Sequence, residues 1–582
     1  MNIFTILKTE IKNAVQALAD SGKINALPNM ERITAEPPRD ASHGDVATNV
    51  AMVCAGQIGL KPRDFASLIA QQLESLPSIE TVDVAGPGFI NLKLSNAFWY
   101  GQLQTILNEK ENYGSSDMGA GEKVNIEFCS ANPTGPMHVG HVRGAVFGDA
   151  LAGLLSKAGY DVTREYYMND RGVQMGKLAR TAYLRYREAL GEDIGEIPEG
   201  YYPGDYLKPV GKFIADKDGD KWVGKPEEEW LNYFRDIAGN MMMDSIRADL
   251  AKAGIHFDVF ASEKAIAESG GIEDALKVLT DAGLAYKGIL EKPKSAKAPE
   301  DWEPQEMLIF KSTEFGDEAD RPLARADGTY TYFMPDIAYQ YDKYKRGFKK
   351  LIMVLGADHA GYVTRLKSAV KAVTKGDANL DMPLVQMVSF SQNGEPVKMS
   401  KRAGTIVLFS DLLEEIDKDV VRFFMLTRKN DSQLDFDLVK VKEQSKDNPV
   451  FYVQYAHARA YSVFRKAADM FGSDVMNDLQ NADFELLKDE AEVALIRQLV
   501  EFPRQVELAA LVNEPHRIAY YLNELASGFH ALWNKGRDDV QMRFLDEKNP
   551  DLSKARLALI QAVCYVIASG LAIFGVQPVK EM

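Results

Sequence analysis

The sequence predicts a multidomain chain: a central α/β unit with a large insertion, an α+β module before it and an all-α helical bundle after it. Three observations predict this. Residues 123–128 alternate apolar and polar side chains as a half-buried strand does, and residues 142–158 then carry Val146, Ala150, Leu154 and Ala158 at helical spacing up to Gly159. A second strand-like run at 384–390 leads into an Asn393-Gly394 turn. Residues 450–464, 492–502, 516–533 and 555–574 all repeat apolar residues at helical spacing. With 582 residues, about four domain-sized units are expected.

Composition sets outer bounds. Hydrophobic residues make up 46% of the chain and the mean hydropathy is -0.24, as in a soluble protein with ample core. Three distant cysteines, Cys54, Cys129 and Cys564, allow neither a disulfide framework nor a zinc ribbon, so a reducing, cytoplasmic setting is expected. Residues 557–576 lack charge and are long enough to span a membrane. Gln561, Ser569, Gly570 and Gly575 interrupt them, and a buried helix closing the bundle is expected instead. A formal charge of -16 excludes indiscriminate nucleic-acid binding but leaves room for a local basic groove.

Residues 1–115 form the first unit. Ile3, Leu7, Ile11, Val15 and Leu18 mark a helix, residues 37–45 a loop, 46–54 and 65–73 two helices, and 81–84 and 89–94 two strands. Ser42, His43 and Asp45 imitate a catalytic cluster, but a turn with satisfied side chains explains them. Residues 111–122, rich in glycine, are a first linker.

The central unit, 120–440, is organised around Ala131-Asn-Pro-Thr-Gly-Pro-Met-His-Val-Gly-His141. Two prolines forbid both helix and strand there, so the unit reads strand, tight loop, helix. His138 and His141, three apart, share one face of the helix entrance. Free backbone N–H groups and the helix dipole make this an anion-binding corner. Gly140 leaves room for a flat ligand such as adenine. This is not a P-loop, because Gly172-Val-Gln-Met-Gly-Lys177 has the wrong spacing and Leu178 replaces the Ser/Thr. Downstream, Val397-Lys-Met-Ser-Lys-Arg-Ala-Gly404 places Lys398 and Lys401 around Ser400, with 405–408 expected to resume the sheet. Cations on such a loop can follow the charge that builds on a departing pyrophosphate.

Between these motifs, 161–168 reads as a second strand ending at Asn169-Asp170, where open α/β sheets place ligands. Residues from about 178 to 320 look inserted, charged and loop-rich. The sheet is expected to return through 322–326 and 329–333, with Pro335 opening a helix and Asp336 in its first turn. A planar cation is best met by a carboxylate, and Tyr332, one turn earlier, could converge on the same group. Ordinary dipole duty is the other reading of Asp336. Residues 440–448 form a second linker, and 446–582 the bundle. Its Tyr452-Val-Gln-Tyr-Ala-His-Ala-Arg459 run suits splayed-out RNA bases, although half of such an aromatic stripe is expected in the core.

The two motifs, in this order and on these elements, resemble the signature motifs of class I aminoacyl-tRNA synthetases. Residues 127–141, Tyr166-Tyr-Met-Asn-Asp170, Gly356-Ala-Asp-His-Ala-Gly361 and the 448–459 run narrow the resemblance to arginyl-tRNA synthetases of bacterial form, over essentially the whole chain. The resemblance implies a Rossmann-type catalytic domain that activates L-arginine with ATP and passes it to tRNA-Arg in a monomeric enzyme, with Mg2+ arriving on the nucleotide and no dedicated protein metal site. It implies His138, His141, Lys398 and Lys401 as catalytic, and these together with Pro133, Thr134, Gly135, Gly140, Met399 and Ser400 as the ATP site. Glu127, Ser130, Asn132, Tyr332, Asp336 and His359 would hold arginine. Phe89 and Asn91 would meet the tRNA elbow (or be a core Phe beside an exposed Asn), and Tyr455, Arg459 and Trp533 the anticodon. The alternatives are a cysteinyl enzyme, disfavoured by the missing zinc-cysteine set, a nucleotidyltransferase, which needs no helical RNA-binding domain, and a non-catalytic paralogue, disfavoured by two complete motifs.

Overall fold

The computed structural model describes residues 2–290, 305–397, 408–445 and 447–582. They fall into two units: Gly119–Glu443 with Asn513–Pro515, and Met1–Met118 with Gln444–Val512 and His516–Met582. The N-terminal module thus shares a unit with the C-terminal helices.

That module runs α1 (Ile3–Asp20), β1 (Ala35–Glu36), β2 (Val46–Thr48), α2 (Val50–Cys54), α3 (Pro62–Leu73), β3 (Ile79–Ala85), β4 (Phe89–Leu94) and α4 (Asn96–Glu109). Asn2 caps α1 by accepting from the N–H groups of Phe4 and Thr5. The strands form an antiparallel sheet in the order β1-β2-β4-β3. Residues 46–54 are not one helix. Val46 and Thr48 are buried on β2, an inner strand between β1 and β4, and only then does the chain turn into α2. Tertiary pairing overrides the apolar run's helical appearance.

The other unit begins with β5 (Lys123–Glu127), α5 (Val142–Lys157), β6 (Asp161–Met168), α6 (Val173–Ala189), α7 (Lys208–Asp218), α8 (Glu227–Lys252), β7 (Val259–Ser262), α9 (Glu263–Glu268) and α10 (Gly271–Asp281). It continues with β8 (Ala285–Gly288), β9 (Met307–Phe310), β10 (Arg321–Ala324), α11 (Phe333–Lys345), β11 (Lys350–Met353), β12 (Leu355–Gly356), α12 (Val363–Val373) and β13 (Asn379–Asp381). It ends with β14 (Leu384–Val385), β15 (Val388–Gln392), β16 (Glu395–Pro396), α13 (Phe409–Glu415), α14 (Lys418–Met425) and β17 (Leu434–Asp437).

Its main sheet is wholly parallel, in the order β13-β11-β5-β6-β7. The chain leaves β5 in one direction and returns through β11 on the other side, so the strand order reverses between them. Open α/β sheets bind ligands at that point, beyond the strands' C-terminal ends.

Two expectations change here. The 178–320 stretch, expected to be loop-rich and only partly helical, supplies β7 to the main sheet, and α6, α7 and α8 share an aromatic core in which Tyr183 stacks on Trp230 at 4.0 Å. Its charges ride on helix faces and hid the apolar periodicity. Nor is β5 half-buried. A central parallel strand is covered on both faces, and Asn125 and Glu127 are buried with Val124 and Ile126. Their polar face is met by charge: Asn125 donates to Glu165 at 2.6 Å, and Arg346 grips the same carboxylate with two bonds of 2.7 and 2.9 Å.

The C-terminal bundle comprises α15 (Pro449–Phe471), α16 (Glu490–Val500), α17 (Phe502–Leu511), α18 (His516–Asp538) and α19 (Pro550–Ile573). Helix α19 has the length and apolarity of a membrane span, but 83% of its most apolar window is buried in the bundle. Tyr113, in the expected first linker, is itself buried, and its carbonyl accepts from Ser569 on α19 at 2.8 Å.

Candidate active site

Past β5, Cys129 and Ser130 adopt φ of +66° and +42°, a left-handed pair that side chains adopt only under constraint. Strand β6 supplies the constraint. Tyr166 donates its hydroxyl to the Ala131 carbonyl at 2.7 Å, and the Tyr167 N–H donates to Ser130 Oγ at 3.1 Å. Burial pushes the Cys129 thiol up to about 12, so it stays protonated and inert. Pro133 is buried, and the Thr134 carbonyl accepts from the Tyr206 hydroxyl at 2.9 Å. A Cβ at Gly135 would lie 3.0 Å from the Tyr206 hydroxyl, so a side chain there would press on Tyr206. Nothing in its local sequence marks Tyr206 as part of this loop.

The histidines come together as their spacing requires. The segment Val139–His141 is a short 3-10 turn leading into α5, with the imidazole centroids 3.8 Å apart. His138 Nδ1 accepts from the Gly140 N–H at 3.1 Å, and His141 Nδ1 accepts from the His138 N–H at 3.3 Å. With both Nδ1 atoms accepting, each neutral ring carries its proton on Nε2. Burial lowers His138, and burial beside His138 pushes His141 down to about 4, so both rings are neutral at pH 7. The result is two Nε2–H donors at a helix N-terminus, an arrangement suited to phosphate oxygens. A Cβ at Gly140 would lie 2.8 Å from the His138 ring, so the absent side chain makes room for the imidazole. At Gly148 a Cβ would lie 2.2 Å from the Phe128 ring, which sets the close approach of α5 to β5.

Lys398, Met399, Ser400 and Lys401 lie outside the described residues. Of residues 405–408 only Leu408 is described. It does not resume a strand but makes a single antiparallel bridge with His138, and the Phe409 N–H donates to the Met137 carbonyl at 3.0 Å.

Asp336 sits in the first turn of α11, at the sheet's C-terminal edge. That helix starts at Phe333, so Pro335 is its third residue rather than its first, a position that still needs no N–H partner. The Asp336 carboxylate accepts from Tyr362, the last residue of the 3-10 turn that follows β12, and no cation pairs with it among the described residues. Burial, with the Glu127 and Glu263 charges nearby, pushes it up to about 7 against the Tyr362 bond. Tyr332, the residue before α11, is 77% exposed. Glu127 is also placed differently from the expectation. Lys343 donates to it at 2.6 Å, both side chains are buried, and the ammonium lies 4.2 Å over the Tyr339 ring. Asn132 and His359 are exposed, the latter 3.5 Å from Asp358.

In the other unit, Phe89 is exposed, whereas Asn91 is buried on the central strand β4, so Asn91 is not available to a nucleotide base. Tyr455, Arg459 and Trp533 do meet. The guanidinium lies 4.3 Å over Tyr455 and 4.7 Å over Trp533, and donates to the Tyr455 hydroxyl at 2.6 Å. Trp533 also lines a cavity of about 670 Å³ with Lys466, Arg537, Arg543 and Phe544. Among the described residues no group of three His, Cys, Asp or Glu side chains could hold a metal ion.

Three family models match the chain: "Arginyl tRNA synthetase N terminal domain" over residues 5–94, "tRNA synthetases class I (R), catalytic domain" over 102–444 and "DALR anticodon binding domain" over 453–582. The chain belongs to the arginyl-tRNA synthetase family. A curated arginine–tRNA ligase of Parvibaculum lavamentivorans is 55% identical over 583 residues, the full length of both chains, and that of Roseobacter denitrificans 53% over 582, again the whole of both. A crystal structure described as a putative arginyl-tRNA synthetase from Campylobacter jejuni superposes with a TM-score of 0.72 at 32% identity, covering 84% of this chain and all of that one. As an arginyl-tRNA synthetase family member, the chain has the class I catalytic domain and uses ATP.

Proposed function

We propose that this chain is an arginine–tRNA ligase in which Asp336 selects the substrate's guanidinium. The observation that carries the proposal is a half-buried carboxylate with no counter-cation among the described residues, lodged where the sheet order reverses. A guanidinium is always charged and planar, and it would both ionise Asp336 and satisfy the oxygen that Tyr362 leaves free. Glu127, already neutralised by Lys343, contributes field rather than a second contact.

The arginine carboxylate attacks the α-phosphate of ATP, giving arginyl-adenylate and pyrophosphate. No protein nucleophile is used, so the protein acts by positioning and charge stabilisation. The Nε2–H groups of His138 and His141 hold phosphate and ribose oxygens, and Lys398 and Lys401 screen the departing pyrophosphate. Magnesium bound with the nucleotide would offset part of the phosphate charge, with no ligand required from the described residues. The 2′-hydroxyl of the terminal adenosine of tRNA-Arg then takes the arginyl group.

The bundle reads the anticodon of tRNA-Arg through the Trp533 cavity, with the Arg459–Tyr455 stack behind it. Residues 1–115 meet the tRNA elbow, with Phe89 rather than Asn91 as the contact. The proposed enzyme works as a cytoplasmic monomer, and the burial of α19 in the bundle supports its acting off the membrane. ATP–pyrophosphate exchange with each of the twenty amino acids, with and without tRNA-Arg, tests the reading. Exchange with arginine alone and only with tRNA supports it; exchange driven by another amino acid overturns the specificity.

A further inference from the structure

We infer that Arg143 is a positioning residue for adenylate formation: it locks the starts of β15 and β17 onto the first turn of the histidine helix. Arg143 is the second residue of α5, two positions after His141, and is only 2% exposed. Its guanidinium donates to three backbone carbonyls far away in sequence. Nη1 reaches Gln386 at 3.1 Å and Ser432 at 2.7 Å, and Nη2 reaches Lys429 at 2.8 Å.

Those carbonyls stand just ahead of β15 and β17, which run parallel with Val388 opposite Leu434. One planar fork therefore gathers both strand origins. Asn430 completes the junction, since its carbonyl accepts from the Gln386 N–H at 2.8 Å and its side chain donates to the Leu384 carbonyl at 2.8 Å. Strand β15 then turns at Asn393-Gly394 into β16, and the Val397 N–H donates back to the Phe390 carbonyl at 2.9 Å. On the far side of residues 398–407, Leu408 bridges His138. The described residues on either side of the lysine motif are thus both referred to the histidine helix, one directly and one through Arg143.

The chemistry of the contact favours positioning over general stability. A buried cation hydrogen-bonded only to carbonyls is costly to desolvate: burial pushes Arg143 down to about 10, against the nearby Asp431 charge. An apolar side chain would fill the space more cheaply, but only a guanidinium reaches two strands in fixed directions. Reacting groups displaced by about 1 Å can lose on the order of a hundredfold in rate.

The proposal rests on the activity assigned above. Steady-state pyrophosphate exchange by the full-length protein, with tRNA present, is compared for wild type, Arg143→Lys, Asn430→Ala and Val146→Ala, with thermal melts of each. Arg143→Lys is expected to lower kcat roughly tenfold or more while KM for arginine stays within about threefold. Asn430→Ala, at a partly exposed position, should lower kcat in the same sense by about threefold or more. Val146→Ala weakens the same helix without touching the carbonyls and should leave kcat within about twofold. Wild-type kcat in a folded Arg143→Lys overturns the inference, as does equal loss of kcat and arginine affinity in that variant and in Val146→Ala. If Arg143→Lys does not fold, Asn430→Ala decides, and an unchanged kcat rejects the inference. No exchange by wild type would instead overturn the assigned activity.

Discussion

Lys343 donates to Glu127 at 2.6 Å inside the sheet–helix interface, so the carboxylate expected to share the substrate guanidinium already has a cation of its own. The pair fixes α11 against β5, and with it the helix turn that presents Asp336. Lys343→Met would strand a buried carboxylate, at a cost of about 3–5 kcal/mol. The urea-unfolding midpoint should fall accordingly, and adding Glu127→Gln should recover much of the loss. A neutral Lys343→Met would mean that the pair is not sequestered as described.

Asp336 links arginine binding to pH. Its carboxyl, raised to about 7, is partly protonated in the free enzyme at neutral pH and must ionise to meet a guanidinium. KM for arginine should therefore rise as pH falls below 7, with a proton released on binding near pH 7, measurable by calorimetry in buffers of different ionisation enthalpy. A pH-independent KM between 6 and 8 would contradict this.

The same shift carries a stability sign. Between the unfolded value near 4 and the folded value near 7, the folded state binds the extra proton, so stability falls as pH rises through that window. Asp336→Asn should accordingly stabilise the free protein above pH 7, by on the order of a few kcal/mol, while weakening arginine binding. Thermal melts at pH 5 and pH 8 read the difference: the gain should be largest at pH 8.

The histidine pair makes a spectroscopic prediction. Nitrogen-15 correlation spectra of the imidazoles at pH 7 should show Nε2 protonated and Nδ1 bare in both rings, because both Nδ1 atoms accept backbone N–H bonds. His141→Ala should lower the pyrophosphate-exchange rate by roughly a hundredfold, the scale of one lost transition-state donor. An Nδ1–H tautomer in either ring would remove the proposed phosphate donors.

For tRNA, Trp533→Ala should raise KM for tRNA by about five- to a hundredfold, as lost base stacking does, with KM for arginine unchanged at saturating tRNA. Aminoacylation kinetics separate the two. An unchanged KM for tRNA would leave the cavity without a role.

Much of this was legible because local chemistry coincides with the fold. The histidine spacing specifies its own cap, Asn393-Gly394 makes its hairpin turn with both φ positive, and the late helices follow their apolar period. What was illegible depends on partners distant in sequence. Glu127 meets Lys343 from 216 residues away, Tyr362 reaches Asp336 from 26 residues away, and Arg143 spends its donors on carbonyls that no sequence pattern advertises. Asn91 was misread for a related reason: the alternation pointed to the correct strand, but that strand lies inside the sheet and the side chain is buried.

The most direct test of the account is arginine-dependent ATP–pyrophosphate exchange by Asp336→Asn in the presence of tRNA-Arg. A lost charge-assisted pair predicts KM for arginine raised by roughly tenfold to more than a hundredfold and KM for ATP little changed. Equal shifts in both constants, or none, would contradict the claim that this carboxylate selects the substrate.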